Sequence, residues 1–96
     1  MSLKEVHQIR YSMKLARSHW EQRGYVVFTT NPFRTQLLFD IFNGIAVGGG
    51  ETILFRICIE RAKSVKQLTA FKRKNPFVRV VLMIHKANKG MEQREF

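Results

Sequence analysis

The chain has 96 residues, 45% hydrophobic and 25% charged, which fits one small globular domain and excludes wholesale disorder. Its 17 Lys and Arg stand against 7 Asp and Glu, a formal net charge of +10. A fold of this size cannot neutralise such an excess internally, so the charge implies a polyanionic partner, nucleic acid ahead of an anionic membrane surface. A chain this short buries roughly 60 to 65% of its unfolded surface, which supports one core and a shallow surface site rather than a spacious enclosed cavity. The single cysteine, Cys58, excludes an intramolecular disulfide framework and a multi-cysteine zinc site, and it suits a reducing, cytoplasmic setting. No apolar run approaches the roughly 18 residues of a membrane span, and Lys4, Glu5, His7, Gln8 and Arg10 break up the first stretch, so no membrane or secretory segment is expected.

From about Leu3 to Arg23 there is no Gly or Pro, and Val6, Ile9, Met13, Ala16 and Trp20 recur at offsets of three and four. That spacing predicts an amphipathic helix stopped by Gly24. Tyr25 to Thr29 is aromatic and β-branched and reads as a strand. After the Asn31-Pro32 turn a second strand is expected from about Gln36 to Phe42, bulged near Asn43-Gly44 and continuing through Ile45, Ala46 and Val47 to a turn at Gly48-Gly49-Gly50. Thr52 to Glu60 alternates, with Ile53, Phe55, Ile57 and Ile59 on one face and Leu54, Arg56, Cys58 and Glu60 on the other. Ser64 and Gln67 have the form of a capping box for a helix from Val65 to Lys74, with Val65, Leu68 and Phe71 inward. Phe77 to His85 is apolar on both faces and predicts a strand covered on both sides, parallel to its predecessor across a helical crossover. Residues 1–86 then form the domain, and residues 87–96 a polar tail, frayed or briefly helical.

The order α-β-β-β-α-β with a mixed sheet, an α/β fold, resembles the restriction-endonuclease-like PD-(D/E)XK nucleases, nearest to small archaeal Holliday junction resolvases and minimal archaeal or viral nucleases. The segments that carry the resemblance are Trp20 to Val27, Leu37-Leu38-Phe39-Asp40-Ile41, Ile53 to Cys58, and Phe77 to Leu82 behind a basic helix. In that family an aspartate on the second strand and a Glu-x-Lys on the third bind Mg²⁺ or Mn²⁺, which activates water against a phosphodiester. The resemblance aligns Asp40 with the aspartate and Arg56-Ile57-Cys58 with Glu-x-Lys. A guanidinium thus stands where a metal-binding carboxylate is required, and a thiol where the lysine is required. Glu60 on the same face, Lys63 as a migrated lysine and Glu5 on the first helix are the residues that would restore a metal site. In that arrangement Asp40, Glu60 and Glu5 are the metal ligands and Lys63 stabilises charge. The bland alternative is an Asp40–Arg56 ion pair in place of the metal.

Cys58 reads as a small packed hydrophobe, since no partner for nucleophilic catalysis is evident. His7, His19 and His85 lack metal-ligand spacing, and the glycine triplet lacks the Lys-Ser or Lys-Thr of a phosphate loop. Arg10, Lys14 and Arg17 along the first helix, and Lys63, Lys66, Lys72, Arg73 and Lys74 around the second, are the candidate phosphate contacts, with Phe33 and Arg34 in the loop before the second strand reaching toward a groove or a flipped base, and core packing the equal alternative for Phe33. The expected function is nucleic-acid binding on a nuclease-like fold with a degenerate site, structured or duplex DNA before RNA. One alternative is an active Mg²⁺- or Mn²⁺-dependent endonuclease or resolvase. Another is a non-enzymatic homodimeric interaction or regulatory protein, joined through the Trp20 face of the first helix or the edge strand Tyr25 to Thr29.

Overall fold

Helix α1 spans Leu3–Glu21 and turns Met13, Ala16 and Trp20 into the core. It stops where Gly24 takes a φ of 88°, a left-handed conformation that residues with a side chain adopt at a cost. The Tyr25 N–H closes back onto the Trp20 carbonyl at 3.1 Å and launches the chain into the sheet. This computed structural model describes residues 3–31, 37–87 and 89–96, without the side chains of Leu3, Glu5 and Val6. The expectations for Phe33 and Arg34 lie outside the described residues.

Strands β1 (Val26–Thr29), β2 (Gly44–Gly48), β3 (Glu51–Ile59), β4 (Arg79–Lys86) and β5 (Gly90–Glu95) form one sheet in that order. Only β3 and β4 pair in parallel, with helix α2 (Val65–Lys74) between them in sequence. The alternation along β3 divides the core in two. Ile53, Phe55 and Ile57 pack toward α1 with Val27, Ala46, Val81 and Met83, while Leu54 and Cys58 pack on the opposite face with Leu68, Val80, Leu82 and Ile84. Covered on both sides, β4 is buried from Val80 to Ile84, which is why its sequence shows no alternation. Gly49 and Gly50, at φ of 57° and 78°, make the β2–β3 turn.

Several expectations are corrected. The second strand is shorter, because Leu38 and Phe42 exchange backbone hydrogen bonds at 2.9 Å and close a tight turn in which Phe39 and Asp40 have φ of 51° and 61°. Sheet pairing begins at Gly44, opposite Phe55. The Asn43 N–H also donates to the Phe55 carbonyl, at 2.9 Å, so two residues address one, the count of a β-bulge. Only glycine fits at Gly44: a Cβ there would overlap the Phe55 ring and lie 2.8 Å from the Phe28 carbonyl oxygen. Helix α2 has the expected limits but no capping box, since Ser64 sits at φ 64° and makes no side-chain cap, and Val65 is exposed rather than inward. Phe77 is exposed and precedes β4.

The polar end of the chain is neither frayed nor helical but forms β5, antiparallel to β4. Arg79 grips Glu95 through two hydrogen bonds of 2.9 and 2.6 Å and reaches Glu51 at 3.1 Å, while the Tyr25 hydroxyl donates to Glu51 at 2.7 Å. The Tyr25 and Arg79 hydrogen bonds hold the Glu51 carboxyl below its ordinary range, and Arg79 does the same to Glu95. Trp20 is buried in the core, so its ring is not available to a partner. The α2 side of β1 and β2 is different: α2 packs over β4 and leaves Val26, Phe28 and Val47 exposed by 61%, 63% and 44%. No helix among the described residues is long and apolar enough to cross a membrane.

Candidate functional site

Pairing between β2 and β3 ends at Gly44 and Phe55, so β3 continues through Arg56 to Ile59 with β4 on one side and no β2 partner on the other. Asn43 occupies this fork. Its Oδ1 accepts the Ile57 N–H at 2.7 Å, and its carbonyl accepts the Thr30 N–H at 2.8 Å. With its N–H on Phe55, the buried carboxamide residue ties β3 to the end of β1. Sequence reasoning missed Asn43 because it searched for a carboxylate. The available signal was a side-chain acceptor placed immediately before the glycine that opens an apolar strand.

Arg56 reaches the turn beside the fork, where its Nη1 donates to the Ile41 carbonyl at 3.0 Å. Its Nε is buried without a hydrogen-bond partner. Cys58 is buried, its Sγ 3.8 Å from the Lys63 carbonyl. A cavity of about 210 Å³ opens here, lined by Gln8 and Ile9 of α1, Arg56 to Ile59 of β3, and Lys63.

The residues proposed for catalysis are dispersed. Asp40 stands exposed in the Leu38–Phe42 turn rather than on β2. No Asp40–Arg56 ion pair forms among the described residues, which corrects that alternative; the guanidinium takes the Ile41 carbonyl instead. Glu60 lies just past β3 at φ 69°, where its N–H donates to the His85 carbonyl and its Oε1 accepts the Ala87 N–H, both at 2.9 Å. It fastens the end of β3 to the end of β4. Lys63 lines the cavity. Glu5 is on α1 one turn before Gln8 and Ile9, its side chain outside the described residues.

The family resemblance of the sequence implies a divalent metal, and the donor chemistry of the described residues at this site does not fit one. Among the described residues no three His, Cys, Asp or Glu side chains gather to hold an ion. Arg56 presents only N–H donors, and the Asn43 side-chain oxygen is already engaged by Ile57. His85 is a packing residue, its Nδ1 2.6 Å from the buried Ser12 hydroxyl, which donates to the Gln8 carbonyl. His19 lies against Gln93, and partial burial with Arg23 nearby pushes its pKa down.

The basic residues divide between the two faces of the sheet, because α1 and α2 pack on opposite sides. Arg10, Lys14 and Arg17 line a second cavity of about 330 Å³ with Thr29, Thr30 and Asn31 at the end of β1. Arg17 also pairs along the helix with Glu21 at 2.9 Å, an exposed contact of small energetic consequence. On α2, Lys66, Arg73 and Lys74 are exposed. Lys72 is tied down, its Nζ donating to the Pro76 and Val78 carbonyls at 3.0 and 2.8 Å.

Among solved structures, that of Hjc, a Holliday junction resolvase from the archaeal hyperthermophile Archaeoglobus fulgidus, is similar with a TM-score of 0.60 and 14% sequence identity. The similarity covers 91% of this chain and 72% of that chain. No protein-family model matches the sequence, and no curated protein matches it. At this identity the likeness is one of fold: a mixed five-stranded sheet with two helices, the α/β arrangement of the resolvase-like PD-(D/E)XK nucleases.

The fork gives a direct expectation. Asn43→Ala removes the acceptor of the buried Ile57 N–H and lowers unfolding free energy by about 1 to 3 kcal/mol, measured by denaturant titration. Asn43→Asp retains an acceptor oxygen and is less destabilising.

Proposed function

We propose that this chain binds nucleic acid, structured or duplex DNA before RNA, on a nuclease-like fold whose catalytic position has become cationic. The observation that carries this reading is Arg56-Ile57-Cys58 on β3 where the resemblance calls for Glu-x-Lys, beside an asparagine rather than a carboxylate at the fork. The net charge of +10 supplies long-range attraction to a polyanion, and the groove of Arg10, Lys14 and Arg17 supplies local contacts to phosphates. Thr29 and Thr30 line the same groove and bring hydroxyls suited to phosphate oxygens. Lys63, Lys66, Arg73 and Lys74 extend the cationic surface, and Lys72 contributes less because its ammonium already serves two carbonyls. Contacts of this kind read the backbone and not the bases, so little sequence preference is expected. The resolvase whose fold is similar acts on a branched DNA, which favours DNA as the first ligand to test.

The outer edge of β1, which pairs with no other strand among the described residues, favours a homodimer. Val26 and Phe28 are exposed beside that edge, whereas the opposite edge, β5, carries Glu92, Arg94 and Glu95, charges that discourage strand addition. A second copy pairing antiparallel along β1 satisfies its open backbone groups about a two-fold axis.

Retention on duplex and four-way-junction DNA, followed as salt rises from about 50 to 200 mM, tests the first reading. A steep loss of affinity is expected, and Lys14→Gln with Arg17→Gln should reduce the log–log slope by roughly 2, about 0.9 for each phosphate that is no longer neutralised. Retention that is weak and flat with salt rejects nucleic-acid binding. Light scattering tests the second: the wild type should have twice the 11.3 kDa chain mass and Phe28→Glu the single mass, while a wild-type monomer at every concentration rejects the dimer.

A further inference from the structure

We infer that the cavity at the end of β3 seats one phosphate group of the nucleic-acid backbone directly on Arg56 and Lys63, with no metal ion between them. This rests on the nucleic-acid reading above and assigns it a specific seat. The polar residues that line it are Arg56, Lys63 and Gln8, two cations and a carboxamide, and no acidic residue among the described residues joins them. Ile9, Ile57, Cys58 and Ile59 complete the wall with apolar surface, which strengthens a charged contact made inside it.

Arg56 is the centre of this seat. Its guanidinium is half-buried, has no carboxylate partner among the described residues, and leaves Nε buried and unpaired. A buried unpaired N–H on a cation costs free energy until an acceptor reaches it. Its Nη1 is fixed by the Ile41 carbonyl, so the planar group is oriented before any ligand arrives. Arginine matches phosphate geometry through paired N–H bonds, and Lys63 adds a mobile point charge at the rim. At about 210 Å³ the cavity exceeds several water volumes of roughly 30 Å³ each, so a phosphate group enters without displacing the core. Where a carboxylate site needs a cation to bridge it to the anion, this site carries its own positive charge.

The test uses the full ¹⁵N-labelled chain, once with Mg²⁺ and once in EDTA, with the Arg56 Nε–H resonance as reporter. It is titrated with a short DNA oligonucleotide and, separately, with inorganic phosphate. The expected result is a saturable shift of the Arg56 Nε–H with the oligonucleotide, unchanged by EDTA, and an affinity lowered roughly 3- to 10-fold in Lys63→Gln, a substitution in a loop residue at the cavity rim. Oligonucleotide binding with the Arg56 resonance unmoved overturns the phosphate seat while the nucleic-acid reading stands. A response to inorganic phosphate alone overturns the nucleic-acid source of the phosphate. Binding abolished by EDTA overturns the metal-free contact, and failure of any oligonucleotide to bind overturns the reading beneath it.

Discussion

Beyond Phe55 the β3 backbone has no β2 neighbour, and the Asn43 carboxamide supplies the acceptor that the Ile57 N–H would otherwise lack, at 2.7 Å. A buried donor left open there is costly, so this contact decides whether β3 can leave β2 and still remain a strand. Its consequences spread outward. Because β3 stays extended, Arg56 and Cys58 keep the face opposite Phe55 and Ile57, and Arg56 can reach the Ile41 carbonyl across the fork. Because Gly44 has no Cβ, the Phe55 ring lies against it and seals the core directly beneath the fork. Arg56 is therefore carried by a strand anchored in the core, with Lys63 supplied by the loop that follows.

The electrostatic character of the fork follows from the same placement. Asn43 brings a dipole rather than a negative charge, and Arg56 and Lys63 bring two positive charges to a cavity walled by isoleucines. Such an arrangement repels a divalent cation and attracts an anion. Four of the acidic residues are used elsewhere: Glu51 and Glu95 answer Arg79, Glu92 answers Lys86 and Arg94, and Glu60 caps the Ala87 N–H. Most of these contacts hold β5 and the strand ends together. Those four carboxylates thus serve the strand edges, while Arg10, Lys14 and Arg17 line the groove at the end of β1 and Arg56 and Lys63 line the cavity at the fork.

Strong periodicity was legible in the sequence. The alternation from Ile53 to Cys58, the doubly apolar run of β4 and the limits of α2 all correspond to the fold, because each reflects burial on one or two defined faces. Leu37 to Phe42 misled for a physical reason: its apolar residues pack between α2 and the sheet without joining the sheet, with the Phe39 and Phe42 rings 5.7 and 4.9 Å from Phe71 and Phe42 in one cluster with Leu54 and Leu82. An apolar run reports burial and not the partner that buries it. Strand β5 was invisible because backbone pairing and ion pairs order it, and neither leaves a hydrophobic pattern. At the site, Arg56 and Cys58 could be assigned to one face from alternation alone. Asn43 could not, since its role depends on where β2 begins, and that start is set by a bulge and a tight turn with two residues at positive φ.

The measurement that bears most directly on the central claim is binding and cleavage scored on the same samples. Branched and duplex DNA are incubated with the chain in Mg²⁺ and in Mn²⁺, beside an Asp40→Ala control, and resolved on native and denaturing gels. A cationic fork that holds phosphate without a metal should retard the DNA on the native gel and leave it intact on the denaturing one, with Asp40→Ala indistinguishable from the wild type. Metal-dependent cleavage that disappears in Asp40→Ala would contradict the account.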